Sequence, residues 1–239
     1  MRATICLPTY NERDNLEPML RALAAILRDG DRVLVIDDAS PDGTGELADS
    51  LAAELAGVEV IHREEKQGLG PAYIAGFRRA LAEDADLVVQ IDCDFSHDPA
   101  VVPSLIAAAE AGADVVLGSR YVPGGAIPNW TIPRRIVSKF GNYYARLWLQ
   151  SPIHDMTGGF RCYRRKVIEA IDLDSVHSRG YAFQVEIAYR VRRAGFRVVE
   201  VPITFRDRER GVSKMSRAIM VEAAWKVPLL RLRALTGRL

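Results

Sequence analysis

The chain has 239 residues, of which 49% are hydrophobic and 26% are charged, a composition typical of a folded globular protein. Its formal net charge is only +1, which argues against a protein that binds nucleic acid through an overall positive charge. The three cysteines lie far apart without a C-x-x-C pair, so neither a zinc site nor a disulfide framework is predicted. The first residues lack the long apolar core of a signal peptide, so we expect none. No run of ~18 apolar residues occurs either, so we expect a chain that does not span a bilayer.

Apolar runs of strand length alternate with helical patterns through the first half of the sequence. The predicted strands cover residues 3–7, 32–36, 58–62, 87–91, 114–119 and 197–201. The predicted helices cover residues 15–28, 43–55, 70–82, 99–111, 134–150, 181–194 and 215–234, the last interrupted at Pro228. This order predicts an α/β fold, with a mixed, mostly parallel, Rossmann-like sheet flanked by helices.

Polar segments follow four of the predicted strands, where ligands bind in sheets of this kind. The four segments are PTYNE (residues 8–12), DDASPDGT (37–44), DCD (92–94) and GSRY (118–121). Within the second segment, Asp37 and Asp42 are also typical turn residues. Four such segments at one edge of a sheet predict a ligand-binding cleft there.

Asp92 and Asp94 are the most informative of these residues. Residues two apart on a strand point to the same face, so at the end of a strand both carboxylates are expected to enter one crevice. Two carboxylates suit a divalent cation that carries the phosphates of a substrate. An isolated Asp-x-Asp also occurs at solvated strand ends, and it is the other three segments that favour a binding role.

Three later segments narrow the interpretation: RRIVSKFGN from Arg134, TGGFRCYRR from Thr157 and FRDRERGVSK from Phe205. With the strand-end segments, they resemble the inverting family-2 glycosyltransferases of the GT-A fold, and more narrowly the dolichol- or polyprenol-phosphate mannosyltransferases. The similarity runs from Ile5 to about Ser216. Its most specific part is the R-x-x-G-x-S-K pattern that begins at Arg208.

The resemblance implies a GDP-mannose donor and a Mg²⁺ or Mn²⁺ ion held by Asp92 and Asp94. The implied donor-binding residues are Pro8, Tyr10, Glu12, Ile36, Asp38, Asp92, Cys93, Asp94, Arg208 and Lys214. Cys93 departs from the Ala that is usual in the family, and because Cys is a small, mostly buried residue we expect no effect. Gln184 and Glu186 are further candidates for contacts with the sugar.

The implied acceptor is a polyprenyl monophosphate, with its phosphate held by Arg120, Arg134 and Ser138. A phosphate oxygen is already an anion at neutral pH, so no general base is required and no catalytic His is expected. The implied catalytic residues are Asp92, Asp94 and Arg120, which act by positioning and charge neutralisation. The expected product is a β-linked polyprenyl-phosphate mannose.

A polyprenyl acceptor requires contact with a membrane. Residues 206–239 contain nine Lys or Arg against three acids, and the segment from Met215 mixes these cations with large apolar side chains. That composition is typical of an interfacial helix, although a helix packed on the catalytic domain would also fit. We expect a catalytic domain over residues 1–214 and a basic tail over 215–239. The tail would attach the protein peripherally to the cytoplasmic face of a membrane, or an integral-membrane partner subunit would do so.

The sequence bears on three alternative functions. The same chemistry could use UDP-glucose or another nucleotide sugar, because the strand-end segments report nucleotide-sugar use better than sugar identity. A non-catalytic subunit that binds lipid phosphate is a second alternative, and loss of Asp94 or of the R-x-x-G-x-S-K pattern would favour it. A nucleotidyltransferase would need a Gly-rich loop after the first strand, which PTYNE is not.

Overall fold

The computed structural model describes residues 1–176, 178, 180–207 and 217–236. The strands are β1 (Ala3–Thr9), β2 (Arg32–Asp37), β3 (Val58–His62), β4 (Leu87–Gln90), β5 (Val115–Ser119), β6 (Arg161–Arg164) and β7 (Val198–Pro202). The helices are α1 (Arg13–Ala24), α2 (Thr44–Glu54), α3 (Leu69–Ala82), α4 (Val102–Glu110), α5 (Ile132–Leu149), α6 (Arg165–Ala170), α7 (Gly180–Arg193) and α8 (Arg217–Leu235). Short 3-10 helices occur at Pro99–Val101 and Leu173–Ser175.

The strands form one sheet in the order β3-β2-β1-β4-β6-β5-β7. All neighbouring strands are parallel except β6, which runs antiparallel to both β4 and β5. The chain moves from β1 towards β3 on one side and returns to β4 on the other, so the strand order reverses between β1 and β4. The cleft outside the ends of these two strands is where an α/β sheet binds its ligands. The prediction of a mixed, mostly parallel sheet flanked by helices is confirmed.

Strand β6 was not predicted from the sequence. Its four residues read R-C-Y-R, and a charged residue at each end hides the apolar pattern of a buried strand. Arg161 is nevertheless fully buried, because its guanidinium donates hydrogen bonds to the backbone oxygens of Gly158 (2.9 Å) and Met156 (3.0 Å). A buried charge is tolerated when it is hydrogen-bonded in this way.

Each face of the sheet is covered by a separate apolar cluster. Cys6, Leu34 and Val88 contribute to the cluster with α3, α7 and α8, whereas Ile5 and Val33 contribute to the cluster with α1, α2 and α4. Neighbours along each strand therefore face opposite sides, which requires a continuous apolar run rather than an alternating one.

Helix α8 is continuous through Pro228, so the predicted interruption at that residue is wrong. The helix packs against α7 and α5, and its Val227, Leu230 and Ala234 are buried in the core. Trp225 and Leu232 are 78% and 58% exposed on another side of the helix. None of the helices within the described residues is both long enough and apolar enough to cross a membrane.

Candidate active site

The end of β1 carries the first three predicted donor residues. Beyond Cys6, β1 pairs only with β2, so Pro8 occupies a position where a missing N–H costs no ladder hydrogen bond. Tyr10 follows the strand, and the ammonium of Lys66 lies 3.6 Å from the centre of its ring. Glu12 precedes α1, and its carboxylate accepts a 2.8 Å hydrogen bond from the Asn15 amide. A ring and a carboxylate are therefore present at the mouth of the cleft.

Asp38 follows β2, beside the buried Ile36, and organises the loop that leads into α3. Its carboxylate accepts hydrogen bonds from the backbone N–H of Gly68 (2.7 Å) and of Gln67 (3.2 Å), and pairs with the guanidinium of Arg63. The side chain is only 5% exposed. Asp38 thus fixes the loop next to Tyr10 as well as standing at the predicted donor position.

Asp37 and Asp42 shape the turn that precedes α2. Asp37 accepts hydrogen bonds from the backbone N–H and the hydroxyl of Ser40, and Asp42 accepts them from both groups of Thr44. Both residues therefore form turns, as their sequence context indicates.

The Asp92–Asp94 segment lies in the turn after β4, because the strand ends at Gln90 and not at residue 91. Strand alternation therefore does not determine where the two carboxylates point. Asp92 accepts a 2.7 Å hydrogen bond from the hydroxyl of Tyr73 in α3. Burial, followed by the charge of Asp92 and this hydrogen bond, raises the pKa of Tyr73 well above its usual value, so the hydroxyl stays a donor.

Asp94 is almost completely buried and accepts a 3.0 Å hydrogen bond from the backbone N–H of Ser96. Cys93, between the two carboxylates, is also buried, which agrees with its treatment as a small apolar residue. Ser96 is buried as well.

The chemistry of the turn fits a hard divalent cation. Asp92 and Asp94 offer carboxylate oxygens, and no group of three or more His, Cys, Asp or Glu in the described part of the chain forms a closed metal cage. Mg²⁺ is usually held by one or two carboxylates together with substrate phosphates and water, and Mn²⁺ also prefers oxygen ligands. The donor set therefore fits an ion that binds together with a phosphorylated substrate.

Two buried amides lie beside Asp92. A β-carbon placed on Gly159 would lie 3.3 Å from Gln184 Nε2, 3.5 Å from Asp92 Oδ2 and 3.8 Å from Gln90 Nε2. Both amide atoms of Gln184, and Nε2 of Gln90, are buried and have no hydrogen-bond partner within the described residues. Buried polar groups of this kind normally have a partner, so these amides are available to polar groups of a ligand or of ordered water.

Glu186, the other candidate for a sugar contact, lies two residues further along α7 and is also buried. It forms a buried ion pair with Arg190 one turn further along α7, at 2.7 Å. The negative charge of the buried Glu186 is therefore compensated by Arg190 within the protein.

His97 lies just after the Asp-x-Asp turn and is only 2% exposed. Its ring packs against Phe160 and Phe205, with ring centres 5.2 Å away in each case. Burial, which disfavours the charged imidazolium, lowers the pKa of His97 to about 4, while the nearby Asp94 charge acts in the opposite direction. The imidazole is therefore neutral at pH 7.

Arg120 follows β5 and is held by a buried carboxylate that the sequence did not reveal. Its guanidinium donates two 2.7 Å hydrogen bonds to Asp155, and a third of 2.8 Å to the Thr157 hydroxyl. Burial alone would raise the pKa of Asp155, but the charge and hydrogen bonds of Arg120 outweigh it and hold that pKa below its usual value. Arg120 is thus a fixed cation at the end of the strand.

Arg134 and Ser138 lie one turn apart on α5 and face the same region. Arg134 pairs with Asp207 at 2.6 Å, and Ser138 accepts a 2.7 Å hydrogen bond from the hydroxyl of Tyr121. The ring of Trp130 lies 4.2 Å from the guanidinium carbon of Arg134 and 5.7 Å from that of Arg120. The structure therefore brings the three predicted acceptor residues to one place.

The remaining predicted residues, Arg208 and Lys214, lie outside the described residues. Four features of the site were not predicted from the sequence, namely Tyr73, Asp155, Trp130 and the position of Gln90. The hydroxyl of Tyr73 and the carboxylate of Asp155 act through residues 19 and 35 positions away, so no local pattern marks them.

Comparison with protein families gives a match to the family described as "Glycosyl transferase family 2" over residues 4–172. Two similar proteins are the polyprenol monophosphomannose synthase of Mycolicibacterium smegmatis and the undecaprenyl-phosphate mannosyltransferase of Micrococcus luteus. Each is 49% identical over 227 residues, which is 95% of this chain and 85% or 93% of the relative, respectively.

Solved structures with a similar fold include glucosyl-3-phosphoglycerate synthase from Mycobacterium tuberculosis in complexes with UDP and with Mn²⁺ and UDP-glucose. Both give a TM-score of 0.67, at 19% and 20% identity, and cover 96% and 98% of this chain and 78% and 79% of the solved chain. This likeness confirms the expected GT-A fold. Because the family model covers most of the chain and the two mannosyltransferases are similar over almost all of it, the protein belongs to glycosyl transferase family 2.

Proposed function

We propose that the protein transfers mannose from GDP-α-mannose to a polyprenyl monophosphate, with inversion, giving β-linked polyprenyl-phosphate mannose and GDP. An oxygen of the acceptor phosphate attacks the anomeric carbon as the bond from that carbon to the diphosphate breaks, and GDP leaves with the bonding electrons. The two relatives at 49% identity, named for polyprenol and undecaprenyl-phosphate mannose transfer, support the choice of substrates.

The donor would lie in the cleft between the ends of β1 and β4. Tyr10 offers a ring face for stacking, and Glu12 and Asp38 offer carboxylates for hydroxyl and base N–H groups. The diphosphate would come to Asp92 and Asp94, with Cys93 between them, and Arg208 and Lys214 would contact it from the later segment. Gln184 and Gln90 supply amide groups for the hydroxyls of the sugar.

Asp92 and Asp94 are the residues that would hold Mg²⁺ or Mn²⁺, and the ion would neutralise charge on the departing diphosphate. Tyr73 orients Asp92 by donating to it, so the carboxylate keeps one position as the donor binds. This dependence on a divalent ion is part of the proposal.

The composition of α5 is the observation that most directly supports a lipid acceptor. Arg134 and Ser138 lie on the side of this helix that faces Trp130 and Tyr121, and large apolar side chains cover another side. Ile132, Ile136, Phe140, Tyr143 and Leu147 are each between 61% and 73% exposed. A helix that presents phosphate-binding groups and an apolar surface together suits a substrate with an anionic head and a polyprenyl tail.

We propose peripheral attachment to the cytoplasmic face of a membrane, and the exposed apolar side chains support the membrane contact itself. One side of α8 packs against α5 and α7, and Trp225, Leu229 and Leu232 on this helix are large apolar side chains that stay exposed. Within its described residues, the predicted tail is thus a helix that packs on the domain and also has exposed apolar side chains suited to a membrane. An integral-membrane partner subunit would be an alternative means of attachment.

The proposed function is tested by incubating the chain with a short polyprenyl phosphate and radiolabelled GDP-mannose, with Mg²⁺ or with EDTA, and with UDP-glucose in parallel. We expect a labelled lipid from GDP-mannose alone, and none in EDTA. Activity with UDP-glucose only would overturn the donor, and equal activity in EDTA would overturn the metal dependence.

A further inference from the structure

A polar pocket of about 360 Å³ lies between the segment after β5 and helix α5. Its walls include Arg120 and Tyr121 from the segment, Lys139, Asn142 and Arg146 from the helix, and His154. Among the described residues that line it, none is Asp or Glu. The pocket is therefore surrounded by donors and cations, a setting that favours an anionic ligand.

Two of the basic side chains have no charge partner among the described residues. Arg120 is neutralised by Asp155, and His154 pairs with Glu200. Lys139 and Arg146 form no ion pair in the described part of the chain, and the Nε of Arg146 is buried without a hydrogen-bond partner. A buried guanidinium nitrogen without an acceptor is costly, so the pocket lacks an acceptor that a bound anion would supply.

The position of the pocket on α5 indicates where such an anion comes from. Lys139, Asn142 and Arg146 follow one another at helical spacing, and their row lies between the buried side of the helix and the exposed apolar row that contains Ile136 and Phe140. An anion in the pocket is therefore next to the surface proposed to meet the membrane.

We propose that this pocket, with Lys139 and Arg146 as its cations, binds the phosphate of a lipid. Arg is suited to two parallel hydrogen bonds with a phosphate and Lys to a single charged contact. The phosphate belongs either to an anionic phospholipid of the membrane or to a polyprenyl phosphate. The second source rests on the proposed function, because it makes the pocket an entry site for the acceptor beside Arg120 and Ser138.

The test is isothermal titration of the full chain with three probes, namely dihexanoyl phosphatidylglycerol, a short polyprenyl phosphate and inorganic phosphate. Variants Arg146→Gln and Lys139→Gln remove the two cations. Arg233→Gln, which removes an exposed cation of α8, is the matched control for general loss of positive charge. Titration with GDP and thermal unfolding establish that each variant is folded.

We expect at least one lipid probe to bind the wild type saturably and to bind Arg146→Gln at least about tenfold more weakly, as loss of a charge-assisted hydrogen bond predicts. Arg233→Gln should bind it like the wild type. Binding of phosphatidylglycerol alone identifies a phospholipid headgroup, and binding of polyprenyl phosphate alone identifies the acceptor.

The proposal is overturned if neither lipid binds the wild type, or if the two pocket variants bind as the wild type does. An equal loss of lipid affinity in Arg233→Gln would also contradict it, since the loss would then come from the overall positive charge and not from the pocket. Inorganic phosphate that binds as tightly as both lipids would overturn the lipid assignment. Mannosyl transfer is measured separately. Its absence would overturn the proposed function, whereas the phosphatidylglycerol titrations would still test whether the pocket binds a lipid phosphate.

Discussion

Arg120 and Asp155 form a two-point ion pair inside the protein, with two hydrogen bonds of 2.7 Å between guanidinium and carboxylate. Both side chains are at most 5% exposed. The pair joins the end of β5 to the segment before β6, so the cation at the predicted acceptor site is also part of the folded core. Its position is therefore set by folding rather than by the substrate.

Replacing Asp155 by Asn should leave the buried charge of Arg120 uncompensated. We expect the free energy of unfolding to fall by about 3–5 kcal/mol, the usual cost of breaking a buried pair. Denaturation with urea measures this. The control Glu169→Gln breaks the exposed pair with Arg165 and should change stability by less than about 1 kcal/mol. Equal losses in the two variants would contradict the assignment.

His97 should make the protein less stable in mild acid. The pKa of His97 is about 4 in the folded protein and 6.5 in an unfolded chain. As the pH falls, the unfolded state therefore takes up a proton at this residue before the folded state does. The contribution of the neutral His97 to the free energy of unfolding is therefore complete above pH 6.5. It is lost as the pH falls from 6.5 towards 4, by ~3 kcal/mol in total. Urea denaturation at pH 7.5 and pH 5 should show a smaller difference for His97→Gln than for the wild type. An unchanged difference would exclude His97 as the cause.

Tyr73 should act as a positioning residue for Asp92. In Tyr73→Phe the hydroxyl that donates to Asp92 is lost while the ring still packs against Phe77 and Phe183. We expect the Mg²⁺ concentration for half-maximal transfer to rise about tenfold, because a hydrogen bond to a charged group contributes 1.5–3 kcal/mol. Tyr189→Phe, at another buried tyrosine, is the control. A purely structural effect would lower stability without moving the Mg²⁺ dependence.

Gln184 should contribute to recognition of the sugar and little to stability. Its amide has no hydrogen-bond partner in the described residues, so Gln184→Leu removes a buried polar group and should leave the free energy of unfolding unchanged or raised. We expect the KM for GDP-mannose to rise about tenfold and the affinity for GDP, which lacks the sugar, to stay constant. A parallel loss of GDP affinity would mean that Gln184 supports the cleft rather than the sugar.

The sequence was sufficient for those parts of the fold that follow local patterns. The apolar runs of β1, β2, β4 and β5 predicted the sheet and the edge where the polar segments meet. The strand β6 was missed because Arg161 carries its charge into the core through backbone partners that no pattern reveals. Helix α8 continues past Pro228 because its buried face packs on α5 and α7, and this tertiary packing overrides the local preference.

At the site, the binding residues in the strand-end segments were recognisable from the sequence. The residues that hold them in position were not. Asp155 and Trp130 acquire their roles only when distant segments meet at Arg120. The exposed apolar row of α5 was also not predicted, because an amphipathic pattern does not state which face will be buried. Tertiary structure decides that the polar side of α5 packs at the site and the apolar side stays exposed.

The most direct test of the account compares the wild type with Asp94→Asn in transfer from GDP-mannose to a short polyprenyl phosphate in Mg²⁺, with the anomeric configuration of the product read by NMR. The account predicts β-linked polyprenyl-phosphate mannose from the wild type and at least about a hundredfold less from the variant, whose loss of one carboxylate charge weakens both metal and diphosphate binding. An α-linked product, or equal rates for the two proteins, would contradict it.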